Sequence, residues 1–293
     1  MSGPVTRRDV GLVLAGGGNR AFYSLGVLNG WWPVLGDRVG TVATCSAGAC
    51  VAAMFLAGRR AEARTVFLER TRGLTRNITW SNLLRGRRLA PHGEVYREIM
   101  LAIGRDGGLD RIRQHPFPIQ VLASAFPQVL PAGAAATVGI VAYQLEKLLR
   151  PSFVHPRAGR ALGFAPAVFD MRECESPEAL ADLVLASSAT PPFTPVGRFG
   201  GRSLLDGGMV DNAPAFLAAH GDGIERVIVL LTRPYAPALT GQQGTRLYVA
   251  PSSPVPAGRW DYTRPEGVEE AVALGERDAT TYQRVLAGFL GSG

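Results

Sequence analysis

The sequence predicts an α/β fold in which a mostly parallel central sheet carries helices on both faces. Short uninterrupted apolar runs, typical of strands buried on both sides, recur along the 293-residue chain. Segments with helical spacing of apolar residues separate these runs, as in a parallel sheet with helical crossovers. With 46% hydrophobic residues, 19% charged residues and no linker or repeat, residues 1–293 are expected to form one domain.

The first strand is predicted at residues 10–15, an apolar run that opens directly into a glycine loop, residues 16–20. Glycines allow backbone N–H groups to face a ligand at close range. After the loop, Phe22, Leu25 and Leu28 recur at helical spacing. The loop therefore lies at a helix N-terminus, where an anion is favoured, and predicts a cradle for an oxyanion or a phosphate.

The same loop also satisfies the dinucleotide-binding fingerprint G-x-G-x-x-G/A, with Ala21 in the last position. Asp37 lies about twenty residues further on, as a ribose-binding acid would. That acid should end the second strand, but Asp37 precedes the strand predicted at residues 39–44. A nucleotide site also leaves the following serine turn unexplained, and no Gly-Lys-Ser/Thr is present to make a P-loop. The oxyanion interpretation is therefore preferred.

A second strand at residues 39–44 leads into Ser46, and a small-residue helix follows at residues 49–56. Strand, serine and helix in this order are the context of a nucleophile elbow, whose serine Oγ is exposed on a sharp turn. The N–H of the next residue, Ala47, is then aimed at the developing oxyanion. Thr44 stands where the G-x-S-x-G pattern has its first glycine, and a β-branched residue there is expected to cost ~1 to 3 kcal/mol of backbone strain.

The net charge is +7, and nearly all of the positive charge is arginine, since Lys147 is the only lysine. Such a surface is compatible with anionic lipid, acidic substrates or nucleic acid. No zinc-finger spacing, RNP-type aromatic motif or long basic helix is present, so no nucleic-acid partner is expected. Peripheral contact with an anionic membrane surface stays open. Its candidate segment is the arginine-rich stretch 80–88, with a solvated loop as the alternative.

The three cysteines, Cys45, Cys50 and Cys174, show no metal-ligand spacing, and their odd number argues against a disulfide framework. No metal and no cofactor are expected. Arg7 and Arg8 precede an apolar run of about six residues without a cleavage site, which we interpret as a strand and not an export signal. No stretch approaches the ~20 apolar residues of a membrane span, and a cytoplasmic location is expected.

The alternation of helices and strands continues through the rest of the chain. Helices are predicted at residues 61–72, 92–103 and 177–190, and strands at residues 119–125, 202–205, 226–231 and 247–250. Ser176 and Pro177 are a good N-cap and first position for the third of these helices. Residues 266–290 are expected to form one or two closing helices. Residues 126–166 change in composition and predict a lid or an acyl-chain groove, with an ordinary packed helix as the alternative.

Asp206 is the best-placed carboxylate to meet Ser46. It ends the strand predicted at residues 202–205 and precedes two glycines. Loops after parallel strands converge on one edge of a sheet, so an acid there is expected near the serine turn. A Ser-His-Asp triad stays open but unsupported. No recognisable base motif contains any of the four histidines, His92, His115, His155 and His220.

Four blocks stand in order along the chain: the glycine loop with Arg20, the serine turn, residues 186–191, and Asp206-Gly207-Gly208 followed by Asn212 and Pro214. This ordered set resembles the patatin-like phospholipase family over about residues 10–235. The resemblance implies a three-layer α/β/α fold and cleavage of lipid acyl esters by a Ser-Asp dyad, without histidine or metal. It makes Ser46 the nucleophile and Asp206 the general base. The oxyanion and substrate-binding residues that it implies are Gly16, Gly17, Gly18, Arg20 and Ala47.

The chemistry of this set is self-consistent. A serine hydroxyl becomes a nucleophile when a base within hydrogen-bond reach takes its proton. Aspartate is a weak base in water and needs a partly desolvated site to raise its pKa. The leading function is hydrolysis of lipid esters. Acyl transfer or ester cleavage on a specialised metabolite, and lipid binding without catalysis, stay open, and capture of the acyl group by an added acceptor separates hydrolase from transferase.

Overall fold

A computed structural model describes residues 7–79, 89–127, 146 and 153–291. The described residues form a single nine-stranded sheet. Its strands are β1 Val10–Leu14, β2 Val39–Cys45, β3 Ile119–Ala125, β4 Ala165–Asp170, β5 Gly197–Phe199, β6 Arg202–Asp206, β7 Arg226–Leu230, β8 Gly241–Gln243 and β9 Arg246–Val249. The strand order is β5-β6-β3-β2-β1-β7-β9-β8, and β4 pairs with β3 outside this path.

The centre of the sheet is parallel. β3, β2, β1, β7 and β9 run in the same direction, each hydrogen bonded to the next. The remaining strands β4, β5, β6 and β8 pair antiparallel and complete the edges. The predicted α/β class with a mostly parallel sheet is therefore confirmed, whereas the antiparallel direction of β6 was not predicted.

Ten helices of the described chain surround the sheet. They are α1 Phe22–Leu35, α2 Ala47–Leu56, α3 Arg60–Thr71, α4 His92–Gly104, α5 Gly108–Arg113, α6 Ala158–Ala161, α7 Pro177–Ser187, α8 Ala215–Ala218, α9 Glu266–Thr281 and α10 Gln283–Gly291. A single 3-10 turn, Gly18–Ala21, joins the glycine loop to α1. The prediction that this loop precedes a helix is confirmed.

Alternate side chains of β1 point to opposite faces of the sheet. Val10, Leu12 and Leu14 belong to the larger core, together with side chains of α1, α2, α4 and α9. Val13 and Ala15 belong to a smaller core with α8 and the other face of β7. Full burial of each large aliphatic side chain contributes about 1.5 to 3 kcal/mol. Both faces are therefore covered, as predicted, and β1 is fixed at the centre with the glycine loop at its carboxyl end.

The start of α7 follows the sequence signal. Ser176 Oγ accepts a hydrogen bond of 3.1 Å from Ala179 N, and Pro177 occupies the first helical position. Such a serine cap is typically worth about 1 kcal/mol. The helix ends at Ser187, earlier than the predicted residue 190, and this end lies beside the serine turn.

Two predicted segments fall largely outside the described residues. The candidate membrane-contact stretch 80–88 lies there entirely, as does most of the predicted lid or groove at 126–166. The described end of the second segment contains α6 and the first residues of β4. Among the described residues, no helix is long and apolar enough to cross a membrane.

Candidate active site

Ser46 lies at the junction between β2 and α2. Its backbone has φ 51° and ψ −130°, and a positive φ of this kind costs a non-glycine residue about 1 to 3 kcal/mol. Only Ser46 and Asp106 among the described non-glycine residues have positive φ. The sharp turn expected of a nucleophile elbow is therefore present, and its strain is at the serine itself.

The backbone strain expected at Thr44 is not found there. Thr44 is still part of β2, so a β-branched side chain suits its extended backbone, and its Oγ1 donates to Gln120 O at 2.9 Å. The turn does need its second glycine. A Cβ on Gly48 would lie 2.2 Å from Leu14 O, so only glycine lets α2 approach β1 this closely.

The register along β3 brings Asp206 to Ser46. On one edge of β3, β2 pairs parallel with residues 119–122 and β6 pairs antiparallel with residues 123–125. The two strands therefore run toward each other, and their carboxyl ends meet where Leu122 is followed by Ala123. The expected reason for this proximity, the convergence of parallel loops, is wrong, because Asp206 arrives on an antiparallel strand.

Both oxygens of the Asp206 carboxylate are held. Ser46 Oγ donates a hydrogen bond of 2.8 Å to Oδ2, and Gly208 N donates one of 2.7 Å to Oδ1. Ser124 Oγ donates to the Asp206 carbonyl at 2.9 Å, which fixes the end of β6. The side chains of all four histidines are described, and their hydrogen bonds go to other partners than Ser46. The arrangement is a serine–aspartate pair.

Burial raises the pKa of the Asp206 carboxyl above its ordinary value. The Gly208 N–H, the Ser46 hydroxyl and the positive charge of Arg259 each lower the pKa and offset part of this rise. The carboxylate is therefore a stronger base than an aspartate in water. A group that must take the proton of a serine hydroxyl needs this property.

The glycine loop is clamped at its first residue. Gly16 N donates to Asn212 O at 2.9 Å, and Gly16 O accepts from Asn212 Nδ2 at 3.1 Å. Within the described residues, the N–H groups of Gly17, Gly18 and Ala47 make no hydrogen bond. Preorganised N–H groups beside a nucleophile are the donors that stabilise a developing oxyanion.

Arg20 and Arg259 both line a smaller cavity beside the glycine loop, and Arg259 also lines the Ser46 cavity. Arg20 Nε lies 3.4 Å from Gly17 O, and Arg20 lines a smaller cavity that does not include Ser46. Arg259 lines the Ser46 cavity itself and lowers the pKa of the carboxylate. Sequence reasoning missed Arg259 because it stands in a proline-rich loop outside the four blocks, where no motif marks it.

A cavity of about 1080 Å³, counted with its open mouth, extends over Ser46. Much of the wall consists of aromatic and aliphatic side chains, among them Phe22, Phe67, Ile99, Phe193 and Trp260. The serine–aspartate pair therefore shares its cavity with apolar surface of the kind that binds hydrocarbon.

His92 lines this cavity as a neutral wall residue. Its side chain is buried, and this burial lowers its pKa to about 4. Its Nδ1 is hydrogen bonded to Tyr262 OH, and its ring stacks on Tyr96 with the ring centroids 5.6 Å apart. Among the described side chains, no group of three His, Cys, Asp or Glu residues is placed to hold a metal ion.

Comparison with known proteins places the chain in a family. The model of the patatin-like phospholipase family matches residues 12–219. The chain belongs to the patatin-like phospholipase family. A crystal structure of VipD from Legionella pneumophila is similar over 97% of this chain and 67% of that chain, with a TM-score of 0.46 and 12% sequence identity. No curated protein sequence matches this patatin-like chain.

The elbow of this patatin-like chain is held by Ser187, whose role no local sequence pattern indicates. Ser46 N donates to Ser187 Oγ at 2.9 Å, and Ser187 Oγ donates to Leu122 O at 2.6 Å. Ser187→Ala leaves the buried Ser46 N–H unpaired, which costs roughly 1 to 3 kcal/mol. We expect the free energy of unfolding, measured by urea denaturation, to fall by about that amount.

Ser188→Ala is the matched control for this variant. The Ser188 Oγ–Tyr96 OH contact is 3.5 Å long, too long for a strong hydrogen bond. Its removal should therefore cost clearly less than the removal of the Ser187 hydroxyl. An equal loss in the two variants would show that Ser187 does not anchor the elbow.

Proposed function

We propose that this protein is a serine acyl hydrolase that cleaves carboxylic ester bonds of lipids through an acyl-Ser46 intermediate, with Asp206 as the general base. The observation that carries the proposal is the 2.8 Å hydrogen bond from Ser46 Oγ to Asp206 Oδ2. It places the base within reach of the proton that must leave. The membership of the family supports the class of substrate.

In the first half of the reaction, Asp206 Oδ2 takes the proton of Ser46 Oγ as Oγ bonds to the ester carbonyl carbon. The carbonyl oxygen becomes negative and accepts hydrogen bonds from the free N–H groups of Gly17 and Gly18. One such donor is typically worth ~3 to 4 kcal/mol in the transition state. The carbon–oxygen bond to the alcohol then breaks, and Asp206 returns the proton to the leaving alkoxide.

In the second half, a water molecule replaces the alcohol. Asp206 takes one proton of the water as its oxygen attacks the acyl-Ser46 carbonyl carbon, and the same N–H groups stabilise the second oxyanion. Collapse of this intermediate releases the fatty acid and returns the proton to Ser46 Oγ. An alcohol acceptor in place of water would make the same site a transferase.

We also propose that the whole chain acts as one domain, although the family model ends at residue 219. The later residues contribute to the site. Thr232 Oγ1 donates to Gly16 O at 2.8 Å, and Arg259 O accepts from Asn19 N at 3.0 Å. Arg259 and Trp260 line the Ser46 cavity. These contacts support a site that needs the carboxyl-terminal part of the chain.

The activity of this site should fall on the acid side of its pH profile. Asp206 acts as a base only when ionised, and burial raises its pKa. The value of kcat/KM should therefore fall as the pH drops through the pKa of Asp206, which lies above the ordinary aspartate value. The positive charge of Arg259 lowers this pKa, so Arg259→Gln should raise it. The acid limb of the kcat/KM profile of this variant should therefore move to higher pH.

The measurement is the pH dependence of kcat/KM for wild type, Arg259→Gln and Arg284→Gln. Arg284 lies on the exposed side of α10 and is the control for loss of one positive charge. A shift in Arg259→Gln alone is the expected result. An unchanged acid limb in Arg259→Gln would show that the charge of Arg259 does not act on the group that controls this limb.

Turnover itself is tested with phospholipid vesicles and released fatty acid as the readout. Wild type should release fatty acid, and Ser46→Ala should not. Vesicles with and without anionic lipid test whether the net charge of +7 brings the protein to a membrane surface. An added alcohol that captures the acyl group identifies a transferase, and lipid binding without turnover in both proteins would reject the proposed function.

A further inference from the structure

A separate cavity lies on the face of the sheet that carries the smaller core and α8. Val154 and Tyr248 belong to that core and line the cavity. It measures about 1060 Å³ counted with its open mouth, and the centres of water-sized molecules can occupy about 450 Å³ of it. Among the described residues, none lines both this cavity and the Ser46 cavity. The reaction proposed at Ser46 therefore leaves this space unused.

Positive charge dominates the polar part of the lining. Three arginines, Arg157, Arg160 and Arg246, line the cavity. Asp211 is the only acid among the described residues of the lining, and it pairs with His155 at 2.9 Å. The charge of the three guanidinium groups is therefore not neutralised by the side chains around them. Like charges that share one site repel each other, and an anion in the cavity would relieve this repulsion.

The guanidinium groups have N–H donors to offer. Within the part of the chain that the structure describes, those of Arg157 and Arg246 have no hydrogen-bond or ion-pair partner. Arg160 is held in place, since its Nε donates to Val210 O at 3.3 Å and its guanidinium lies over the Phe216 ring, 5.0 Å from the centroid. Stacking on a ring leaves the edge of the guanidinium open to an acceptor. The cavity therefore presents several charged donors without acceptors.

The backbone that carries Arg157 is anchored. Glu146 Oε1 accepts a hydrogen bond of 2.9 Å from Arg157 N. A Cβ on Gly159 would lie 1.8 Å from Met209 O, so α6 packs directly on the segment after β6. A site whose backbone is already fixed loses less conformational freedom when a ligand binds.

Much of the remaining wall is apolar. It is formed by Phe153, Val154, Pro156, Val210, Phe216 and Leu239. Phe153, Val154 and Val210 are each at most 8% exposed. Surface of this kind gains free energy by covering a carbon skeleton and offers nothing to a hydrated inorganic ion. The wall therefore matches a ligand that joins an anionic group to an apolar part.

We propose that this cavity binds an organic phosphate. The phosphate oxygens accept hydrogen bonds from Arg157, Arg160 and Arg246, and the organic part packs on apolar side chains such as Phe216. Arginine matches phosphate with paired N–H donors, and a phosphate monoester carries a charge of about −1.5 to −2 at pH 7, against a single charge on a carboxylate. A soluble phosphate ester and the headgroup of an anionic lipid share this chemistry. The site goes beyond the proposed function, because it involves neither residue of the serine–aspartate pair.

Calorimetry of the full chain with phenyl phosphate tests the site. Wild type should bind phenyl phosphate roughly tenfold more tightly than inorganic phosphate, which lacks the ring. Arg157→Gln and Arg246→Gln should each weaken the binding of phenyl phosphate roughly fivefold or more, the effect of one lost charge-assisted hydrogen bond. Neither side chain has a partner in the described structure to lose, so both variants should fold as wild type does.

Three further variants serve as controls. Arg284→Gln removes one positive charge from the exposed side of α10 and should leave the binding unchanged. Arg259→Gln tests for a phosphate held beside the glycine loop, and Ser46→Ala tests for one held at the nucleophile. Both should bind phenyl phosphate as wild type does, whether or not the protein hydrolyses esters. Binding that is lost in either of them and kept in Arg157→Gln would overturn the proposal.

Vesicles made of equal parts of phosphatidylcholine and phosphatidic acid distinguish the two sources of the phosphate. Binding of phenyl phosphate that depends on Arg157 and Arg246 assigns the site to a soluble ester. Cosedimentation with the vesicles that depends on the same two arginines, without binding of phenyl phosphate, assigns it to a lipid headgroup. The proposal is overturned if wild type binds neither probe, or if both arginine variants bind as tightly as wild type.

Discussion

Asp206→Asn is expected to lower kcat/KM by about 10²- to 10⁴-fold, the range typical of a lost general base. The amide has almost the same shape as the carboxylate, and its oxygen can still accept from Gly208 N, as Oδ1 does at 2.7 Å. The other position would now carry an NH₂ group, which donates to Ser46 Oγ and cannot take its proton. The loss is therefore chemical and not structural.

The same variant should fold at least as stably as wild type at pH 7. Because burial raises the pKa of Asp206, the folded protein binds this proton more tightly than the unfolded chain. Protonated Asp206 thus stabilises the fold fully when the pH is below its pKa in the unfolded chain. This stabilisation is lost as the pH rises through its pKa in the folded protein. Asparagine has no charge to desolvate and avoids this loss.

Thermal melts of wild type and Asp206→Asn between pH 3 and 7, about the range in which carboxylates titrate, measure this difference. Asp182→Asn is the control, because the Asp182 side chain is 47% exposed and pairs with Arg97 at the surface. It should change the free energy of unfolding by less than about 0.5 kcal/mol and leave activity intact. Full activity of a folded Asp206→Asn protein would rule out Asp206 as the base.

Gly18→Ala should lower kcat by about 10²- to 10³-fold, the typical cost of one oxyanion donor. Gly18 has φ 60°, and a Cβ added there would lie 1.9 Å from Arg259 O. A contact this short forces the loop or residue 259 to move. The N–H of Gly18 then leaves the position from which it would donate to the oxyanion, whereas the apolar surface that binds the substrate is largely retained.

Gly58→Ala isolates the effect of the contact from the effect of the backbone conformation. Gly58 has φ 62°, and no atom lies within 4 Å of an added Cβ. Alanine there should cost the left-handed penalty of about 1 to 2 kcal/mol in stability and leave kcat unchanged. If the two alanine variants had equal kcat values, the glycine loop would not supply an oxyanion donor.

The local part of the site could be predicted from the sequence, because its signals are local. The apolar run before the glycine loop, the serine turn after β2 and the strand Ile119–Ala125 each carry their pattern within a few residues. Ser176 likewise caps α7 as predicted. Ser46 and Asp206 are brought together in the structure as the sequence predicted.

The remaining features depend on pairing between distant segments. Nothing in residues 202–206 shows that β6 runs antiparallel to β3, and this direction is what brings Asp206 to Ser46. The short edge strands β4, β5 and β8 carry too little alternation to be recognised. Ser187 and Arg259 act through tertiary contacts, so their roles appear only once α7 and the proline-rich loop are in place.

The most direct test of Ser46 as an activated nucleophile is labelling of the pure protein with a fluorophosphonate, followed by mass-spectrometric mapping of the adduct. We expect a single adduct on Ser46, absent from Ser46→Ala and formed far more slowly in Asp206→Asn. No adduct on the folded protein, an adduct on another residue, or equal labelling rates in wild type and Asp206→Asn would contradict this expectation.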